Sequence, residues 1–267
     1  MASAPRSHGP WSGRTLNSVA AWQPGCGHSG IAVGMSGKGA QRWTLYSRYQ
    51  RLRDWPTSAW KCFEFVCRLQ QDWDAARKAL EESVALAREA GNLYGEAVSL
   101  HHLGLLALES AHDSATAWSL NQHSLGLFRR LGDRRMECNV LLALAIVARD
   151  WNDVRTARSL VAEASIACQE IGDDGLMVYV LYERAAVAAA TGKLEQAVRL
   201  TAAAEKMTEL LGIYVHPVYV DPEESARFLM AARQALGEQR FASAWRRGQA
   251  ATLKETVGQA LADTGED

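Results

Sequence analysis

The chain has 267 residues and a net charge of −1, from 29 Lys and Arg against 30 Asp and Glu. At 48% hydrophobic and 22% charged residues it reads as one or two globular domains with a sizeable core, which excludes a disordered or fibrous protein. Its balanced charge gives no electrostatic ground for general nucleic-acid binding. Five scattered cysteines with no CxxC pair indicate neither a disulfide framework nor a zinc site, and suggest a reducing, cytoplasmic compartment.

Residues 1–60 differ from the remainder. They hold seven basic residues and one acid, Asp54, leaving 22 basic and 29 acidic residues for the rest. Five of the nine tryptophans and eight of the 21 glycines also fall here. The stretch shows neither helical nor strand periodicity, so residues 1–56 are expected to be irregular or disordered chain. No apolar signal-peptide core follows its arginines, and no run approaches the roughly 18 apolar residues of a spanning helix. Two glycine patterns invite comparison with nucleotide sites. Gly25-Cys26-Gly27-His28-Ser29-Gly30 matches GxGxxG, but Pro24 precedes it where a buried strand is required. Gly37-Lys38-Gly39 has the P-loop lysine, yet glycine stands where a Ser or Thr would hold magnesium.

Beyond Thr57 the chain is repetitive. Ala76, Ala117, Ala157 and Ala197 are each followed 15 residues later by a glycine: Gly91, Gly132, Gly172 and Gly212. These glycines are 41, 40 and 40 residues apart. Seven residues after each alanine stands a small residue (Ser83, Ser124, Ala164, Ala204), and fourteen after it an apolar one (Ala90, Leu131, Ile171, Leu211). Each unit therefore predicts a helix running from an aspartate-bearing start to a glycine in the left-handed cap position. Its small residues share a face, where a neighbouring helix can approach closely. A second helix is predicted between units, at Tyr94 to Glu109, Arg134 to Arg149 and Leu176 to Ala190, with Gly104 and Ala145 at tight crossings. The helix before them, Thr57 to Gln71, carries Glu64 at that crossing position and reads as a half-polar cap.

The phrases DWDAARKALEESVALAREAGN and LHHLGLLALE resemble tetratricopeptide repeats in their longer form of about 40 residues. This form is similar to the repeat arrays of LuxR-type, MalT-like signal-transduction ATPases that regulate transcription. Ala235-Leu236-Gly237-Glu238, Phe241, Ala244-Trp245, Gly248 and Thr252 to Glu255 resemble the closing segment of those proteins. The resemblance implies an all-α, right-handed α-solenoid of about four helical hairpins over residues 57–213. It also implies a C-terminal helical cap and tail over 214–267, with three helices between Asp221 and Leu261. Walker and helix-turn-helix motifs are absent, so only the sensor arm of such a regulator is implied.

The chemistry-bearing residues point away from catalysis. His101 and His102 are adjacent on a helix, about 100° apart, so they cannot share a metal and read as surface or groove residues. Asp173-Asp174 and Asp221-Pro222-Glu223-Glu224 read as helix starts. His216 reads as a solvated loop residue, Cys138 and Cys168 as small buried groups, and Trp73 and Trp151 as packing residues at equivalent repeat positions. No nucleophile–base pair is present; the expectation is a protein without enzymatic activity, cofactor or metal.

The resemblance implies that the first helix of each hairpin lines a concave face. Counting back from Gly104, Ala145 and Ala185 gives Val98, His101, Asn139, Leu142, Tyr179 and Tyr182, with Arg149 beside them. Aromatic area with polar tips suits a groove for a peptide or a polar ligand. The expected partner is a protein, a peptide or a domain of the same regulator. The alternative is a small-molecule inducer seated near His101 and Tyr182, and neither nucleic acid nor membrane is expected.

Overall fold

In the computed structural model, residues 72–251 and Glu255 are described, and nine helices lie among them. In chain order they are α1 (Trp73–Glu89), α2 (Leu93–Ala111), α3 (Ser114–Leu131), α4 (Arg134–Asp150), α5 (Val154–Ile171), α6 (Asp174–Ala190), α7 (Leu194–Leu211), α8 (Pro222–Leu236) and α9 (Glu238–Ala250). The expectations for residues 1–56, for the helix over 57–71 and for a third cap helix lie outside the described residues.

Local chemistry fixes both ends of most helices. Asp72, Asn92, Asp113, Asp133, Asp153, Asp173 and Asp221 each cap a helix start by accepting a backbone N–H with the side chain. Pro222 then occupies the first turn of α8. At the far ends Gly91, Gly132, Gly172 and Gly212 all adopt positive φ, between 60° and 69°, a region glycine enters without strain. The repeat reading thus holds at the level of backbone conformation. The helices between the repeat units begin and end within about two residues of the predicted limits.

A second left-handed position recurs with the same period. His112 follows α2 at φ 49°, Asn152 follows α4 at φ 58°, and Gly192 follows α6 at φ 73°. Asparagine tolerates this region and glycine is at home there, whereas an exposed histidine meets its full steric penalty. His112→Gly is expected to raise stability by up to about 1 kcal/mol. A urea melt checks it; an unchanged or lower midpoint would mean that the histidine side chain compensates for its own strain.

Consecutive helices pack against one another from α1 to α7, and α4 also touches α6 directly. The even-numbered helices accordingly form one layer and the odd-numbered ones the other. Phe128, Leu141, Leu142, Leu144 and Leu181 are fully buried between them. The small positions of the repeat lie at the contacts: Ala117, Ala157, Ala197, Ser124, Ala164 and Ala204 are wholly inaccessible. Gly104 marks another close approach, where a Cβ would lie 2.3 Å from Nδ2 of Asn121. Leu131 and Leu211, at the apolar position before the cap, remain 42% exposed, whereas Ile171 at the same position packs against the core.

The last two helices behave differently from each other. α9 lies along α7 and covers its outer apolar face with Phe241, Ala244 and Gly248, as a terminal cap must. α8 buries only Ala232 fully and reaches back towards α6. Among the described residues no helix is long and apolar enough to cross a membrane.

Candidate functional site

The residues expected to line the groove sit on α2, α4 and α6, and the structure separates them into three environments. Val98 and Leu142 are 4% and 1% exposed and belong to the core. Asn139 is half-buried, with Nδ2 donating to the Arg135 carbonyl of its own helix at 3.1 Å. Tyr182 turns towards α7, where it hydrogen-bonds Thr208; burial raises its phenol pKa, and Glu205 and Glu209 push the same way. His101 and Tyr179 engage the stretch that follows α7, and Arg149 engages the first turn of α8 just beyond it.

That stretch, 213–221, has no helical structure and crosses the even-numbered layer. Ile213, Val215 and Tyr219 pack against the main core cluster. The Tyr219 hydroxyl lies 2.9 Å from Nε2 of His101, whose Nδ1 lies 2.7 Å from Oδ1 of Asn121. Because Nδ2 of Asn121 donates to the Ala117 carbonyl at 2.8 Å, its Oδ1 must accept from His101. The imidazole is then protonated on Nδ1, and in the neutral ring Nε2 accepts from Tyr219. The Tyr219 ring meets Tyr179 edge-on, with centroids 5.5 Å apart. The Tyr179 hydroxyl donates to the Tyr214 carbonyl at 3.2 Å and accepts from the His216 backbone at 3.3 Å.

Arg149 anchors the end of the crossing. Its guanidinium binds Glu183 twice, at 2.6 Å and 3.2 Å, and also reaches the carboxylate of Glu224 in the first turn of α8. Burial works against the Arg149 charge, but Glu183 and Glu224 outweigh it and raise the guanidinium pKa. Burial also raises Glu183 above the usual carboxylate range, a shift that Arg149 opposes and that Glu224 and Asp150 reinforce.

Several side chains lie elsewhere than the sequence suggested. His101 and His102 are 2% and 9% exposed, not at the surface. His216 is half-buried, its Nδ1 accepting from the Val218 backbone at 3.2 Å, instead of standing in solvent. Trp73 opens α1 while Trp151 ends α4, so the two are not equivalent. Trp151 instead packs on Trp118, with centroids 5.2 Å apart. Cys138 and Cys168 are buried as expected, and contact with Cys168, then burial, pushes the Cys138 thiol far up. Asp173 is the cap of α6.

Two features were not anticipated. The Arg149–Glu183 pair is one, since charged residues on a mostly apolar helix gave no sign that they would meet. The other is a pocket between α5, α6 and α7 with Arg158, Arg184 and Lys193 in its lining. Among the described residues no group of three or more His, Cys, Asp or Glu could hold a metal ion.

Among the described residues the fold and this face define an all-helical array of consecutively packed hairpins whose even-numbered layer holds a non-helical segment. No protein-family model matches the chain, and no curated protein matches its sequence.

Proposed function

We propose that the chain is a non-enzymatic protein-interaction module whose even-numbered helices form a face for a peptide. The observation that carries this reading is the crossing segment: His101 and Tyr179 hold a non-helical stretch of chain by polar anchors over an apolar floor, and Arg149, from the repeat between them, holds the helix start that follows it. The sequence resemblance extends the reading to a cytoplasmic, right-handed tetratricopeptide array, the sensor arm of a bacterial ATPase-type transcriptional regulator.

A small-molecule inducer is the second reading. The groove near His101 and Tyr182 holds the chain's own segment, so the pocket lined by Arg158, Arg184 and Lys193 suits such a ligand better, and its cations favour an anionic one.

The test places a photocrosslinking side chain at Asn139, on the even-numbered layer, or at Ile166, which is 47% exposed on α5. Protein adducts formed at Asn139 and absent at Ile166 are expected. Adducts at Ile166 alone would move the interaction to the other layer. No protein adduct at either position, with stabilisation by small anions that Arg158→Ala abolishes, would favour the inducer.

A further inference from the structure

The crossing segment is held in an unusual way. From Thr208 to Ala231 no residue is fully buried, and Tyr214 is 75% exposed. Yet within this stretch Tyr219 reaches a buried histidine, Glu224 reaches a largely buried arginine, and the backbone at Tyr214 and His216 meets the Tyr179 hydroxyl. A core element has the opposite balance, with large burial and few long-range polar anchors. Specific anchors over modest burial are how a folded domain holds a peptide ligand.

Each anchor is also built to let go. Arg149 is already bound twice by Glu183, so Glu224 is a second carboxylate whose departure leaves no unpaired charge buried. His101 keeps its Nδ1 partner, Asn121, when Tyr219 leaves.

We propose that the face of α2, α4 and α6 recognises a peptide that presents a tyrosine from a turn and, five residues further on, a carboxylate from the start of a helix. The segment 213–224 is a built-in copy of that ligand, and a partner peptide of the same chemistry displaces it. The inference rests on the peptide-binding reading above and deepens it by stating the partner's chemistry and the step that admits it.

The experiment uses the full chain and a fluorescent synthetic peptide of residues 213–224. The double variant Tyr219→Phe with Glu224→Gln loosens the internal copy while leaving His101, Arg149 and Tyr179 in place. Apparent affinity scales with the fraction of molecules whose face is open, so the variant is expected to bind the peptide about tenfold more tightly than the unaltered chain. A peptide carrying the same two substitutions should bind neither protein. Hydrogen exchange adds a second readout: amides of 213–224 should exchange well before those of α4 and α6, and faster still in the double variant. Equal affinity of both proteins for the peptide, with helicity unchanged, overturns the proposal, as does exchange of 213–224 only with global unfolding. If either occurs while adducts still form at Asn139, the peptide-binding reading stands and only the ligand's chemistry and the displacement step fall.

Discussion

Replacing Arg149 by methionine is expected to destabilise the fold by about 3–5 kcal/mol, the range seen when one partner of a buried ion pair is removed. The side chains of Arg149 and Glu183 are 13% and 3% exposed, and the guanidinium supplies both of the bonds to Glu183. Without it a carboxylate would be stranded between α4 and α6. Methionine roughly preserves the volume, so the loss reports the charge more than the packing. The pH dependence gives an internal check. Burial already raises Glu183, and loss of Arg149 removes the influence that opposes the shift. In the variant the folded state therefore binds this proton more tightly than the unfolded state does. Its stability should recover as pH falls through the folded value, with the recovery complete below the ordinary glutamate value. Adding Glu183→Leu should restore most of the loss at neutral pH, because a hydrophobic pair can replace a buried ion pair at little cost. Urea melts of the two variants and the unaltered chain, at neutral pH and at about pH 4, decide the matter. A deficit that does not change with pH would show that the arginine stem, and not its charge, holds the two helices.

Gly248→Ala is expected to free α9 from α7. The added Cβ would sit 2.2 Å from the Arg199 carbonyl oxygen and 2.8 Å from the Ala202 Cβ. The first of these atoms is helix backbone, so no rotamer change relieves the clash. Overpacking of this kind costs about 1–3 kcal/mol, more than the roughly 1 kcal/mol that alanine gains over glycine in a helix. The contacts at risk are the Phe241 and Ala244 packing, the bond from Gln249 to the Ala202 carbonyl, and the exposed pairs of Glu195 with Arg240 and Arg247. Hydrogen exchange should show α9 losing protection while α2 to α6 keep theirs. Unchanged protection of α9 would mean that the helices separate by a few tenths of an ångström at no measurable loss.

The parts of this structure that were legible in the sequence are those governed by contacts close along the chain. A left-handed backbone position selects glycine, so the 40-residue spacing of Gly91, Gly132, Gly172 and Gly212 revealed four helix ends directly. Asp173 and Asp221 declared helix starts because a short carboxylate can accept a nearby N–H. Small residues at fixed spacing pointed to close approaches, and Gly104 proves to be one. The crossing segment was illegible for the complementary reason. His101 and Tyr219 are 118 residues apart and Arg149 and Glu224 are 75 apart, and no periodicity relates them. The count that placed His101, Arg149 and Tyr179 on one face was sufficient to select them, but not to tell that part of their own chain would lie over them. Tyr182 shares that count, and its turn towards Thr208 depends on the width of the α6–α7 contact, which sequence spacing does not encode.

The buried pair formed by His101 and Asn121 has a consequence for assembly. Stacks of similar units are prone to join one repeat out of step, since each hairpin presents its neighbours with nearly the same apolar surface. Asn121 occupies a place held by Leu80, Val161 and Thr201 in the other repeats, and His101 one held by Leu142 and Tyr182. A shift by one unit would set the amide of Asn121 against the aliphatic Leu142 with its oxygen unsatisfied, a penalty of about 1–3 kcal/mol. One amide and one imidazole thus act as a keyed joint, letting a chain of near-identical bricks close in a single order.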